Sequence, residues 1–179
     1  CIRDRLCAIP HGSGNTKAIS DYLVRFAAAR GLRHIQDEYN NVIIFCPGTP
    51  GYETAAPVIL QGHMDMVCEK NSDVEFDFDN DPIRTRIDGE WVRAEGTTLG
   101  ADCGIGMAAA LAVMLDETVE HGPVEALFTV DEETGLTGAF ELGEGMLTGK
   151  YLVNLDSEDE GEIFIGCAGG IDTIATFHY

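Results

Sequence analysis

The run at residues 123–130, PVEALFTV, constrains the fold most. It reads as a buried strand, and a buried strand needs a covering layer on each face. PVILQG at 57–62 and YLVNL at 151–155 read the same way, and NNVIIFC at 40–46 adds another strand, closed by the turn-rich PGTPG. Helical patterns separate them. Residues 15–30 form an amphipathic stretch that Ser13 or Asn15 can cap and Gly31 can close. GIGMAAALAVMLDE at 104–117 is apolar nearly all round, so it reads as a buried helix, and TGAFEL at 137–142 as a short one. RTRIDGEWVRA at 84–94 alternates around Asp88-Gly89, a strong hairpin signal. EIFIG at 162–166 and IDTIATFHY at 171–179 read as further strands. The expected fold class is α/β, a mixed central sheet with helices on both faces. Neither an internal repeat nor a linker is visible.

Acidic residues outnumber basic ones 31 to 11, for a net charge of -20. That balance argues against nucleic acid or an anionic membrane as partner, and it eases cation binding. No apolar run approaches the roughly 18 to 20 residues of a membrane span. No export leader is visible, and none of the six cysteines form a C-x-x-C pair. Buried free thiols in a reducing cytoplasm are expected. The chain begins at Cys1 and stops straight after an apolar stretch, so it reads as a piece of a longer protein.

Four places could carry chemistry. In VILQGHMDMV, His63 and Asp65 lie two apart, so both side chains face one side of an extended chain. Alone, an H-x-D pair is a weak signal. Asp102 precedes a Gly-rich helix start. It can be a helix cap or a ligand, and Gly104-x-Gly106-x-x-Ala109 also fits a dinucleotide loop that lacks its strand. FTVDEETG ends a strand in Asp131, Glu132 and Glu133. Adjacent acids repel one another unless a cation sits among them. Asp156 follows the next strand directly, with Glu158, Asp159 and Glu160 reading as loop surface. Asp77, Asp79 and Asp81 have the spacing of the first calcium-loop ligands, but Pro82 and Asp88 stand where that loop needs Gly and Glu. That segment reads as a solvated loop. Jointly, the four places bring carboxylates and one imidazole to strand ends, a donor set for borderline-hard divalent ions. Asp102, Glu133 and Asp156 together with one hydroxide balance two such ions.

At these residues the chain resembles the co-catalytic zinc exopeptidase and deacylase family, most of all its aminoacyl-histidine dipeptidase branch. The blocks that carry the resemblance are IPHGSGN, VILQGHMDMV, DGEWVRAEGTTLGAD, GIGMAAALA, FTVDEETG and NLDSEDEGEIFIGCAGG. They span almost the whole chain. The resemblance implies a zinc-exopeptidase-like catalytic domain, with residues 1–179 as its N-terminal part. The family's lid domain and C-terminal catalytic segment are absent from these residues. It implies that His63 and Asp156 bind one metal, Glu133 binds the other, and Asp102 bridges both. Asp65 then orients His63, and Glu132 is the general base. Two divalent ions are implied, zinc first, with cobalt or manganese as alternatives. The implied reaction is hydrolysis of dipeptides of the Xaa-His type, in the cytoplasm, with a homodimer open for the full-length protein.

Two departures stand out. Cys103 follows the bridging aspartate where the branch has Asn. The family's last metal ligand is a distant histidine, and His178 matches no family motif. The 179 residues alone are therefore expected to be weak or inactive. A non-catalytic metal-binding piece, or a deacylase of N-acyl amino acids, remains the alternative.

Overall fold

A computed structural model of the chain describes residues 2–157, 159, 161–171 and 173–178. A short helix α1 (Ile2–Cys7) and a longer α2 (Lys17–Ala28) lead into strands β1 (Arg33–Gln36), β2 (Val42–Cys46) and β3 (Val58–His63). A hairpin of β4 (Thr85–Asp88) and β5 (Trp91–Ala94) follows, turning at Gly89 with φ +62°. Helix α3 (Ala101–Val113), strand β6 (Val124–Thr129), helix α4 (Thr137–Phe140) and strand β7 (Tyr151–Asn154) complete the order. The main sheet runs β1-β2-β6-β3-β7. The β1–β2 and β2–β6 pairs are antiparallel, while β3 is parallel to both β6 and β7. The sheet is therefore mixed, as the apolar runs implied.

Alternation along the strands divides the core. Val42, Ile44, Ala126 and Phe128 point to one face, where Ile19, Leu23 and Phe26 of α2 and Met107 and Leu111 of α3 cover them. Ile43, Phe45, Ile59 and Leu127 point to the other, against Leu142, Met146 and Leu147 after α4. Glu125 is the charged residue within the central strand, and it is buried. Its carboxylate accepts the backbone N–H of Thr148 at 2.9 Å and of Gly149 at 3.2 Å, which fixes the approach to β7.

Several local expectations change. The cap of α2 is Thr16, with no side-chain bond, because Ser13 and Asn15 are turned to other partners. Helix α3 is buried on one side only, with Ile105 on its open side 61% exposed. Two elements, α1 and β1, went unforeseen. Residues 162–166 form no strand, nor do the described residues of 171–179. Of the six cysteines, Cys7 and Cys103 are buried free thiols, but Cys68 and Cys167 are exposed. The expectations for Cys1, Glu158 and Glu160, and those for Asp172 and Tyr179 in the last strand, lie outside the described residues. Among the described residues no helix is long and apolar enough to cross a membrane.

Candidate metal centre

Three parallel strands end side by side, with β3 between β6 and β7. Open sheets of this kind offer a crevice at the carboxyl ends of such strands. His63 is the last residue of β3, Glu132 and Glu133 follow β6, and Asp156 follows β7. The fourth contributor arrives at the start of α3. Gly100 takes the left-handed conformation, and Asp102 and Cys103 have non-helical dihedrals joined by a cis peptide. The Asp102 carboxylate turns to His63 Nε2, at 2.8 Å.

The approach of α3 to β3 depends on small residues. A Cβ on Gly62 would meet Cys103 Sγ at 2.9 Å, and one on Gly106 would meet the same sulfur at 2.6 Å. The glycines let the Asp102–Cys103 backbone pass close to the end of β3. Cys103, in the position where the resembling branch has Asn, fills that gap and points its thiol at the Leu155 carbonyl, 3.6 Å away. Burial pushes that thiol up to about 12. No strand runs into Gly104 and Gly106, since residues 95–99 are not in one, so the dinucleotide fingerprint lacks its context. In the acidic loop, Asp77 and Asp81 accept bonds from the N–H groups of Asp79 and Asp77, at 3.0 and 2.9 Å.

The imidazole of His63 is 1% exposed and is the hub of the centre. Its Nδ1 lies 2.8 Å from the Asp65 carbonyl and donates to it. Its Nε2 lies 2.8 Å from Asp102 Oδ1, 3.7 Å from Asp156 Oδ2 and 3.9 Å from Glu132 Oε2. Two groups of donors have their atoms within 4.8 Å of one another: His63, Asp102 and Asp156; and His63, Glu132 and Glu133. All five residues singled out as ligands or base thus meet at one place. Among the described residues, the cationic partner within 4 Å of these carboxylates is His63.

Asp65 stands behind them, buried and saturated. An ionised carboxylate has about four acceptor positions. Asp65 Oδ2 accepts Ser13 Oγ–H at 2.7 Å and the Glu133 N–H at 3.3 Å. Asp65 Oδ1 accepts the Glu132 N–H at 3.1 Å and lies 3.3 Å from His63 Nδ1. Ser13 and Gly14 are the members of this network that the sequence had not assigned to it. The Gly14 N–H donates to Asp131 Oδ1 at 2.7 Å, and Asp131 itself has φ +55°. Their one sequence signal is the block IPHGSGN.

The electrostatics follow from this crowding. Burial opposes charge on His63, but the bonds to Asp65 and Asp102 outweigh it and raise the imidazole to about 9. Burial also works against an ionised Asp65, but its bonds from His63 and Ser13 win and hold it below the usual carboxylate range. Burial, the bond to Asp102 and nearby acids push Asp156 up to about 6. Glu133 is raised by burial and by Asp102. Without a metal, a proton on Nε2 is the cation that holds this site together. A divalent ion is a stronger occupant of the same position, and one imidazole with carboxylates is a donor set it accepts.

Known proteins share this sequence and fold. The chain is 51% identical over 174 residues to the cytosol non-specific dipeptidase of Escherichia coli strain K12, covering 97% of this chain and 36% of that protein. The crystal structure of an aminoacylhistidine dipeptidase from Vibrio alginolyticus superposes with a TM-score of 0.90 at 51% identity, over 93% of this chain and 34% of that one. An aminopeptidase PepT from Bacillus cereus superposes with a TM-score of 0.72 at 25% identity, over 88% of this chain and 42% of that one. The chain therefore spans about a third of the length of its first two relatives. Its residues 59–175 match the peptidase family M20/M25/M40, and it belongs to that family.

Proposed function

We propose that the protein carrying this chain is a metal-dependent dipeptidase, acting on Xaa-His and related dipeptides in the cytoplasm. The observation that carries the reading is the convergence of three carboxylates within 4 Å of one buried imidazole nitrogen. The relatives' names, a cytosol non-specific dipeptidase and an aminoacylhistidine dipeptidase, support the substrate class and compartment.

His63 Nε2, Asp102 and Asp156 would hold one divalent ion, and Glu133 with Asp102 a second, zinc being the first choice. Such a pair, when bound, polarises the scissile carbonyl and lowers the pKa of an attacking water. Asp65 keeps the Nδ1 side of His63 engaged, so Nε2 faces the crevice. Asp102, with a half-exposed side chain, groups with His63 and Asp156, and sharing the second ion would require it to reach Glu133 as well. Glu132 is partly open to solvent and belongs to the second group of donors. Its carboxylate takes a proton from water as the water oxygen attacks the peptide carbonyl carbon. The same proton then passes to the leaving amine as the C–N bond breaks, leaving a carboxylic acid and an amine, and transfer of the acid's proton to the amine gives carboxylate and ammonium.

Residues 1–179 are the N-terminal part of the catalytic domain in this reading. The rest of the substrate site, and a last metal ligand, belong to the full-length protein. The test is hydrolysis of His-containing dipeptides by that protein, before and after dialysis against a chelator. Turnover should vanish with chelator and return with zinc; turnover indifferent to chelator would sink the proposal. The 179 residues alone should hold metal weakly and turn over little.

A further inference from the structure

We infer that Ser13 is a positioning residue of the metal centre, acting through Asp65 on both the His63 imidazole and the Glu132–Glu133 turn. This rests on the metal-site reading above. Ser13 precedes α2 and could have served as its cap, but its hydroxyl donates to Asp65 Oδ2 at 2.7 Å, across 52 positions of sequence.

The loop that carries it is anchored on both sides of the site. The Ser13 N–H donates to the Met66 carbonyl at 3.3 Å, and the Met66 N–H donates to the His11 carbonyl at 3.1 Å. Gly12 and Met66 form an isolated parallel bridge, so the loop runs beside the segment after β3. On the other side the Gly14 N–H donates to Asp131 Oδ1. The loop therefore ties the segment after β3 to the turn after β6, and within it the Ser13 hydroxyl donates the side-chain hydrogen bond to Asp65.

The distances say what that contact does. The Ser13 bond is the shortest of the four around the Asp65 carboxylate; Oδ2 has, besides it, the Glu133 N–H at 3.3 Å. Rotation about the last bond of an aspartate is soft. Without the hydroxyl, Oδ2 keeps one long contact and the carboxylate is free to twist. A twist moves Oδ1, which accepts the Glu132 N–H and faces His63 Nδ1. Ser13 thus fixes the ring and the acidic turn together without touching substrate or metal itself.

The experiment uses the full-length protein with Ser13→Ala, Ser13→Thr and, as comparator, Ser20→Ala. Ser20 is buried and donates to the Asn40 carbonyl at 2.7 Å, away from the site. Zinc dissociation constants are measured by competition with a chromophoric chelator, alongside melting temperature, kcat and KM for a His-containing dipeptide. Ser13→Ala should weaken zinc binding about 10-fold, the lower end of what losing a group behind a metal ligand costs. It should lower kcat by a similar factor while leaving KM nearly unchanged. Ser13→Thr keeps the hydroxyl and should restore both. Ser20→Ala should lower the melting temperature and leave zinc affinity alone.

Zinc affinity in Ser13→Ala equal to wild type overturns the inference. So does a loss that merely tracks melting temperature and appears equally in Ser20→Ala. A wild type that takes up no zinc overturns the metal-site reading and this inference with it. A wild type that binds zinc but cleaves no dipeptide sinks only the peptidase reading, and the zinc constants still decide the role of Ser13.

Discussion

Asp65 Oδ1 accepts the backbone N–H of Glu132 at 3.1 Å, so the residue behind the metal-facing histidine also holds the backbone of the proposed general base. Asp65→Asn keeps the shape but replaces one acceptor oxygen with a donor amide, against at least two N–H groups that need acceptors. Each buried donor left unpaired costs about 1–3 kcal/mol. We expect Asp65→Asn to lower zinc affinity by about 10- to 100-fold. Turnover should fall at least as far. Zinc titration and steady-state kinetics on the full-length protein check this; unchanged zinc affinity would remove Asp65 from its place behind His63.

Glu132 and Glu133 are neighbours in sequence, yet different tasks are assigned to them. Glu132→Gln should keep metal stoichiometry and lower kcat by about 10²- to 10⁴-fold, the usual contribution of a general base. Glu133→Gln should instead lose part of the bound metal. Metal analysis after dialysis separates the two. The reverse pattern, with Glu132→Gln losing metal, exchanges the roles; both glutamates reach the same group of donor atoms around His63.

His63 and Asp156 make the metal-free protein sensitive to pH, and both act in one direction. His63 rises from 6.5 to about 9 on folding, so its stabilisation is present below pH 6.5 and is lost as pH climbs through 9. Asp156 rises from 3.8 to about 6, so the folded state binds more protons than the unfolded state between those values. Stability falls across that window too as pH increases. The metal-free protein should therefore lose stability from pH 4 to pH 9 relative to His63→Gln/Asp156→Asn. Zinc uptake should strengthen over the alkaline part of that range, because the ion displaces the His63 proton. Melting curves and zinc titrations at several pH values test both; zinc affinity that is flat between pH 6.5 and 9 contradicts the proposed exchange.

The site was legible where its residues end apolar strands. The runs before His63, Asp131 and Asp156 announce strands, and it is the gathering of ionisable residues at several such ends, rather than any one of them, that points to a site. The unforeseen elements lack such a signal. Strand β1 is RHIQ, whose one large aliphatic is Ile35, and it exists because β2 offers a partner edge. Residues 162–166 and 171–178 show the opposite case. They are rich in the β-branched and aromatic residues that strands favour, yet Ile163 and Ile174 are both 92% exposed, and no ladder pairs the described residues. Such a composition records a capacity to pair, while a strand also needs its neighbour. Ser13 was hidden for a third reason. A serine just before a helix reads as a cap, and only the fold shows that its partner is Asp65.

Asn41 offers a test of how firmly the acidic turn is held from below. It is 1% exposed at the entry to β2. Its side chain accepts the Val130 N–H at 3.1 Å and donates to the Gly138 carbonyl at 2.8 Å and to Asp37 Oδ2 at 2.7 Å. Val130 stands immediately before Asp131, so this amide pins both ends of the segment that carries Glu132 and Glu133. Asn41→Ala leaves the Val130 N–H and the Gly138 carbonyl without that partner, at about 1–3 kcal/mol for each buried group. Gly138 leaves no room for a repair by substitution, since a Cβ there would lie 2.6 Å from the Val130 nitrogen. We expect the variant to melt several degrees lower, and its Val130 amide to exchange with solvent at least 10-fold faster. Protection at Val130 equal to wild type would mean that the turn is held without Asn41, by Asp65, the loop at Ser13 and Gly14, and the segment's own bond from the Gly138 N–H to the Val130 carbonyl.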